Sequence, residues 1–155
     1  MLVTQEKSPR FCFIFVVENR MDLNTKAKLI KYIEKNQIAS VLNNTKWERL
    51  LEELRKIDGC LDFQRKDLDE PELEIDRWDG DLYHVLGEWQ QIEWLNIRAL
   101  VSESKGILLK PVVTDHIHLL IEALTKAGIP FEMHNDGVRI WGYLRPGVNP
   151  KWVNT

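Results

Sequence analysis

Apolar residues recur along the first half of this chain at the spacing of an amphipathic helix. From Asp22 to about Leu42 they fall near a 3.6-residue period, which predicts a first helix. Thr45 and Glu48 then have the spacing of a capping box, which predicts the start of a second helix that ends near Gly59. The second helix carries one apolar stripe, made of Trp47, Leu50, Leu51, Leu54 and Ile57.

Near the C-terminus the pattern changes from helix to hairpin. Thr114 or Asp115 is placed to cap a third helix, which Gly128 would end. Two apolar runs then flank the sequence Asn-Asp-Gly at 135–137, a strong signal for a β-hairpin. The chain is therefore predicted to close with a helix and a hairpin.

Between the second and third helices the apolar residues alternate, as they do in strands. Leu61 to Arg65 has this pattern, and short alternating pieces recur from Leu73 to Leu100. Strands grouped between helices, without repeated strand-helix-strand crossovers, predict an α+β domain whose mainly antiparallel sheet carries about three helices on one face. We expect one domain over 1–155, with 147–155 as a tail and 1–20 as either an N-terminal extension or an extra strand.

Composition is consistent with a globular chain in a reducing compartment. A chain of 155 residues buries roughly 70% of its unfolded surface without needing a staple. Cys12 and Cys60 lie in or beside apolar runs and are expected to be buried thiols, which favours the cytoplasm. The longest apolar run, from Phe11 to Val17, is too short to span a bilayer and suits a buried strand. Translation could start at Met1 or at Met21.

The acidic residues are concentrated in one segment. The formal net charge is only −3, yet residues 67–93 hold ten acids and a single base, Arg77, or about −9 in that segment. The segment also holds aromatic residues, which provide large rigid contact areas with a polar handle. An acidic surface repels nucleic acid and attracts basic proteins, so nucleic acid is not expected as a partner.

These features predict a non-catalytic protein-binding domain with an acidic, tryptophan-bearing face. The expected partner is a basic protein, the acids steering its approach and the aromatic residues holding it. The alternative is that the acids only solvate a sheet face while the tryptophans point into the core. The predicted partner-binding residues are Trp78, Asp79, Asp81, Glu88, Trp89 and Glu93.

A metal-dependent hydrolase or nuclease is a second hypothesis. Asp76, Asp79 and Asp81 carry hard oxygen ligands for a divalent ion, although Asp-Gly at 79–80 is also a common turn. His116 and His118 would lie about 200° apart around a helix, too far round to share a metal. No cofactor or metal site is therefore predicted, and no catalytic residue is assigned.

A small-molecule sensor or adaptor is the third hypothesis. In that case a pocket between the third helix and the sheet would be lined by Trp94 and Trp141. No nucleophile elbow, phosphate-binding glycine loop or His-Glu-x-x-His helix is present to indicate a particular reaction.

Four short runs of the sequence resemble an uncharacterised family of small bacterial proteins. They are Asn-Asn-Thr-Lys-Trp at 43–47, Glu-Trp-Leu at 93–95, Gly-Ile-Pro-Phe-Glu at 128–132 and Arg-Ile-Trp-Gly-Tyr at 139–143. The similarity covers about Asn36 to Pro146 and implies bacterial cytoplasm, but it carries over no site residue. By analogy, small acidic bacterial domains of this kind are often immunity proteins that neutralise a toxin, such as a basic nuclease.

Overall fold

The computed structural model describes residues 21–57, 61–71, 78–80 and 88–153. Within them the chain forms α1 (Leu23–Lys35), α2 (Asn44–Leu54), α3 (Ile117–Ala127) and a short 3₁₀ helix at Trp89–Gln91. The strands are β1 (Ala39–Ser40), β2 (Phe63–Asp67), β3 (Ile92–Arg98), β4 (Leu100–Glu103), β5 (Val112–Asp115), β6 (Phe131–His134), β7 (Gly137–Trp141) and β8 (Tyr143–Leu144). The predicted strand at residues 11–17, both cysteines and Gly59 lie outside the described residues.

The sheets are antiparallel, as the sequence predicts. The main sheet has the order β2-β3-β7-β6, and two smaller pairs are formed by β1 with β8 and by β4 with β5. Together with the helices, these pairings confirm the α+β class and the closing hairpin.

The first helix is shorter than predicted. It ends at Lys35 instead of continuing to about Leu42, because Asn36 caps it and Gln37 adopts a left-handed conformation with φ 52°. Ile38 still continues the apolar pattern, but it is buried in a small cluster with Leu68 and Tyr143. The apolar periodicity of the sequence therefore continues beyond Lys35, where the helix ends.

The second helix begins two residues earlier than the predicted capping box. Asn43 is its N-cap, since the Oδ1 atom of Asn43 accepts a hydrogen bond from the backbone N–H of Lys46 at 2.9 Å. Thr45 consequently lies inside the helix, and the helix ends at Leu54. The predicted stripe is correct: Trp47, Leu50, Leu51, Leu54 and Ile57 are all buried.

The end of the third helix and the closing hairpin agree with their sequence signals, whereas the N-cap of this helix is His116 and not Thr114 or Asp115 as predicted. Asp115 Oδ1 accepts from the Ile117 backbone N–H at 2.9 Å, and Gly128 ends the helix in a left-handed conformation with φ 68°. In the following turn Asn135 has φ 48°, which suits a tight hairpin connection.

The two faces of the main sheet differ in character because side chains alternate along each strand. The inner face packs against α2 and α3 in one apolar core. By strand register this face carries Phe63, Leu95, Ile97, Phe131, Val138 and Ile140. The outer face carries polar and aromatic side chains instead, namely Gln64, Trp94, Asn96, Arg98, Glu132, Arg139 and Trp141.

A hairpin that the sequence pattern does not predict extends from the domain. It consists of β4, β5 and the loop between them, and all four residues of β5 are exposed. Ile107 and Leu108, in the loop, are almost fully exposed. The hairpin adds an apolar, solvent-exposed tip, while Val101 at its base packs against the main core.

The tail is held on the main sheet as far as Val153. The backbone N–H of Val153 donates to the Phe131 carbonyl at 2.9 Å, and Trp152 forms a bridge with Glu132. The N–H of Lys151 also donates to a carboxylate oxygen of Glu132, at 3.0 Å. The described part of the tail therefore follows the outer edge of β6.

Candidate functional site

An open cleft of about 390 Å³ lies at the start of α2. Its volume is near the lower end of small-molecule pockets. The Asn-Asn-Thr-Lys-Trp run, which carries the family resemblance, forms much of its wall. The lining residues are Ser40, Leu42, Asn43, Asn44, Thr45, Trp47, Gln90 and Tyr143.

A chain of hydrogen bonds fixes the polar side of this cleft. The Trp89 indole N–H donates to Asn44 Oδ1 at 3.2 Å, and Gln90 Nε2 donates to the same oxygen at 3.4 Å. Because an indole N–H only donates, it sets the orientation of both amides. Gln90 Oε1 is then a buried acceptor with no hydrogen-bond partner among the described residues.

Glu93 is the centre of a buried ionic cluster. Lys66 Nζ donates a hydrogen bond to the Glu93 carboxylate, and Arg145 donates to both oxygens of that carboxylate, at 2.8 Å and 3.0 Å. Glu93 is 4% exposed and Lys66 only 2%. Burial opposes ionisation of Glu93, but the hydrogen bonds from Arg145 and Lys66 outweigh it, so the pKa of Glu93 is lowered.

Arg145 joins this cluster to α1 and to the end of β2. It donates to the Leu68 carbonyl at 2.8 Å and to the Tyr32 hydroxyl at 3.2 Å. The hydrogen bond with Glu93 is the main reason why the pKa of Arg145 is raised. The cluster is thus a structural tie between elements that are far apart in sequence.

The predicted acidic face is divided by burial. Glu88 and Asp79 are exposed, and Trp78 is half-buried with Arg98 over its ring at 5.2 Å. Trp89 and Glu93 have buried side chains, so they do not belong to an exposed face. Asp81 lies outside the described residues.

Exposed acids meet at one corner of the domain, which we call the acidic corner and define as Asp69, Glu70 and Glu88. A backbone hydrogen bond from Leu68 to Gln91, at 2.8 Å, brings their two segments side by side. Among the described residues no cation lies within salt-bridge distance of any of these three carboxylates. Neighbouring Asp67, by contrast, pairs with Arg65 at 2.6 Å.

Trp94 and Trp141 do not line a pocket beneath α3. They face each other across β3 and β7 on the outer face, away from the helices. The predicted pocket was wrong because side chains alternate along a strand. Leu95 and Ile140, the neighbours of Trp94 and Trp141 in sequence, occupy the inner face that the helices cover. Between the two indoles lies the guanidinium of Arg139, whose Cζ is 4.4 Å from the Trp94 ring centroid and 5.3 Å from that of Trp141.

Neutral groups orient Arg139. Its Nε donates to Asn96 Oδ1 at 2.7 Å, and its Nη2 lies 3.2 Å from His134 Nε2. Since a guanidinium only donates, His134 Nε2 must be the acceptor, which requires a neutral imidazole. Sequence reasoning missed Arg139 as a site residue, although its alternation with Ile140 indicates a polar outer side.

The surroundings of His134 make stability depend on its charge. Burial and then the charge of Arg139 lower the pKa of His134 from its usual 6.5. The stability from the neutral ring is present above pH 6.5 and is lost as the pH falls through the folded-state pKa. We expect a lower urea midpoint at about pH 5.5 than at about pH 7.5, with a smaller difference in His134→Gln.

Exposed His118 on α3 supplies the control for this experiment. His118→Gln should leave the difference in urea midpoint between the two pH values as it is in the wild type. If His134→Gln also leaves that difference unchanged, other groups cause the pH dependence.

The described residues do not assemble a metal site. No group of three or more His, Cys, Asp or Glu side chains in the described ranges is placed to hold an ion. Asp76 and Asp81, two of the three acids of the hydrolase hypothesis, lie outside those ranges. His116 precedes α3 and His118 lies in its first turn.

No helix in the described part of the chain is long and apolar enough to cross a membrane.

Comparison with known proteins identifies a family but no relative of known function. No curated protein and no solved structure matches the sequence. A family model does match residues 29–147, which include the cleft, the ionic cluster and the outer face. The chain therefore belongs to the family of unknown function DUF6678.

Proposed function

We propose that this protein is a non-catalytic protein-binding domain. The most concrete form of the proposal is a bacterial, cytoplasmic immunity protein that neutralises a basic toxin such as a nuclease. Its contact surface is the acidic corner together with Trp78, Asp79 and Asp81. Buried Trp89 and Glu93 support that surface from inside.

The observation that carries the proposal is the uncompensated charge of the acidic corner. Asp69, Glu70 and Glu88 are exposed, and no cation in the described ranges pairs with them. Clustered charge of one sign raises the rate of association with an oppositely charged protein by about 10- to 1,000-fold at low salt. Half-buried Trp78 lies beside Asp79 at the Phe63 end of β2, so the proposed surface extends from the corner along that strand, and the ring adds contact area that charge alone does not supply.

Charge reversal at the acidic corner tests the proposal. A tagged protein is used to capture partners from cells that naturally make it, at low and at high salt, and bound proteins are identified by mass spectrometry. We expect a basic partner in stoichiometric amount, with association slowed at least about tenfold in the triple variant Asp69→Lys, Glu70→Lys, Glu88→Lys.

A matched control separates the corner from net charge. Glu34→Lys, Glu48→Lys, Glu52→Lys changes the net charge equally, at exposed acids of α1 and α2. That control should bind like the wild type. Equal loss of association in both triple variants, or capture of no basic protein by the wild type at low salt, would refute the proposal.

A further inference from the structure

We propose that the outer face of the main sheet binds a small oxyanion, a phosphate or a carboxylate, through the guanidinium of Arg139 between Trp94 and Trp141. The proposed ligand site is separate from the acidic corner.

The charge of Arg139 is uncompensated among the described residues. No carboxylate among the described residues lies within salt-bridge distance of its guanidinium, although the side chain is half-buried. Glu132 is opposite Arg139 in the strand register, but its oxygens accept from the Trp141 indole at 2.9 Å and from the Lys151 N–H at 3.0 Å. Charges withdrawn from water are usually paired, so Arg139 lacks the anion that such a position normally has.

The guanidinium of Arg139 is held in one orientation. Trp94 and Trp141 flank the group, while Asn96 and His134 fix its Nε and Nη2 atoms. Nη1 has no hydrogen-bond partner among the described residues. Its N–H groups can therefore donate to an incoming anion, and a guanidinium donates two parallel hydrogen bonds to carboxylate or phosphate oxygens.

A second cation, Arg98, lies on the same face of the sheet. Arg98 follows Asn96 by two residues on β3, so its backbone position is diagonally across from that of Arg139, a spacing of about 7–8 Å in sheets, and its guanidinium lies over the Trp78 ring. Its only ion pair in the described ranges is a long one to exposed Asp136, at 3.6 Å. The Nε atom of Arg98 is buried without a hydrogen-bond partner in those ranges. Two neighbouring cations with so little compensation favour a ligand that carries negative charge.

Binding of simple anions to the full chain tests the inference. Inorganic phosphate and succinate are titrated separately at neutral pH, with ionic strength held constant by sodium chloride. Tryptophan fluorescence and calorimetry follow the binding. We expect saturable binding of at least one anion with a Kd of about 1 mM or tighter, a range typical of small ligands held by few contacts.

Variants at Arg139 show whether this side chain holds the anion. Arg139→Gln should weaken binding at least about tenfold, and Arg139→Lys, which keeps the charge but loses the planar fork, should fall between that variant and the wild type. Arg49→Gln, on the exposed side of α2, is the matched control and should bind like the wild type. Circular dichroism establishes that each variant is folded.

A measurement on the wild type keeps the test decisive if Arg139→Gln does not fold. Phosphate or succinate at about 10 mM, some ten times a Kd of 1 mM, should shift the indole N–H resonances of Trp94 and Trp141. Tighter binding of phosphate assigns a phosphate ligand, and tighter binding of succinate assigns a carboxylate. No saturable shift beyond that of sodium chloride, or equal affinity in a folded Arg139→Gln variant, would overturn the inference.

Discussion

Replacing Glu93 by Gln is expected to lower the free energy of unfolding by about 3–5 kcal/mol, the usual cost of breaking a buried ion pair by removing one partner. The substitution keeps the shape of the side chain but leaves the buried ammonium of Lys66 without a counter-ion. Urea denaturation at neutral pH measures the loss. The matched control, Glu48→Gln on the exposed side of α2, should change stability by less than about 0.5 kcal/mol.

A second substitution and a pH series identify the origin of that loss. Lys66→Met removes the orphaned cation, so adding it to Glu93→Gln should restore part of the stability. Because the folded-state pKa of Glu93 is lowered, its contribution is present above the usual value of 4.5 and is lost as the pH falls through the folded-state pKa. A loss below about 1 kcal/mol, the range of surface ion pairs, would mean that water reaches this cluster.

Trp47→Ala is expected to cost about 3–5 kcal/mol, as large-to-small changes in a core do. Trp47 is 2% exposed and packs in the main core, while one edge of its ring lies close to Gly142. For a chain of this size the loss corresponds to a fall in Tm of about 2–4 °C per kcal/mol. Calorimetry or thermal unfolding followed by circular dichroism measures it.

Trp152 provides the same substitution at a less buried place. It is 38% exposed, so Trp152→Ala should cost much less than Trp47→Ala. Equal losses in the two variants would show that Trp47 is not a core residue. In that case the wall of the cleft would be far more open than the packing indicates.

Elements with local signals could be predicted from the sequence. Gly128 and the turn at 135–137 mark the end of α3 and the closing hairpin because their backbone conformations require particular residues. The end of α1 could not be predicted, because Ile38 continues the helical apolar pattern while packing against Leu68 and Tyr143, which are distant in sequence. The β4–β5 hairpin was missed because its exposed apolar residues do not alternate with polar ones.

The candidate site was harder to predict for the same reason. The partners of Glu93 are 27 and 52 residues away in sequence, so nothing local distinguishes it from the exposed acids around it. Trp94 and Trp141 were correctly placed near the sheet but on the wrong face. A strand's alternation separates its two sides, but it does not say which side the helices will cover.

The position of the tail also affects how this sheet meets other chains. The outer strand of a sheet carries N–H and C=O groups that can pair with a strand of another molecule. Here Val153 and Trp152 pair with β6 at Phe131 and Glu132, so the tail already takes part of that edge. A chain shortened after Pro150 would lose Val153, which packs against the core, and would expose this edge as a template for aggregation.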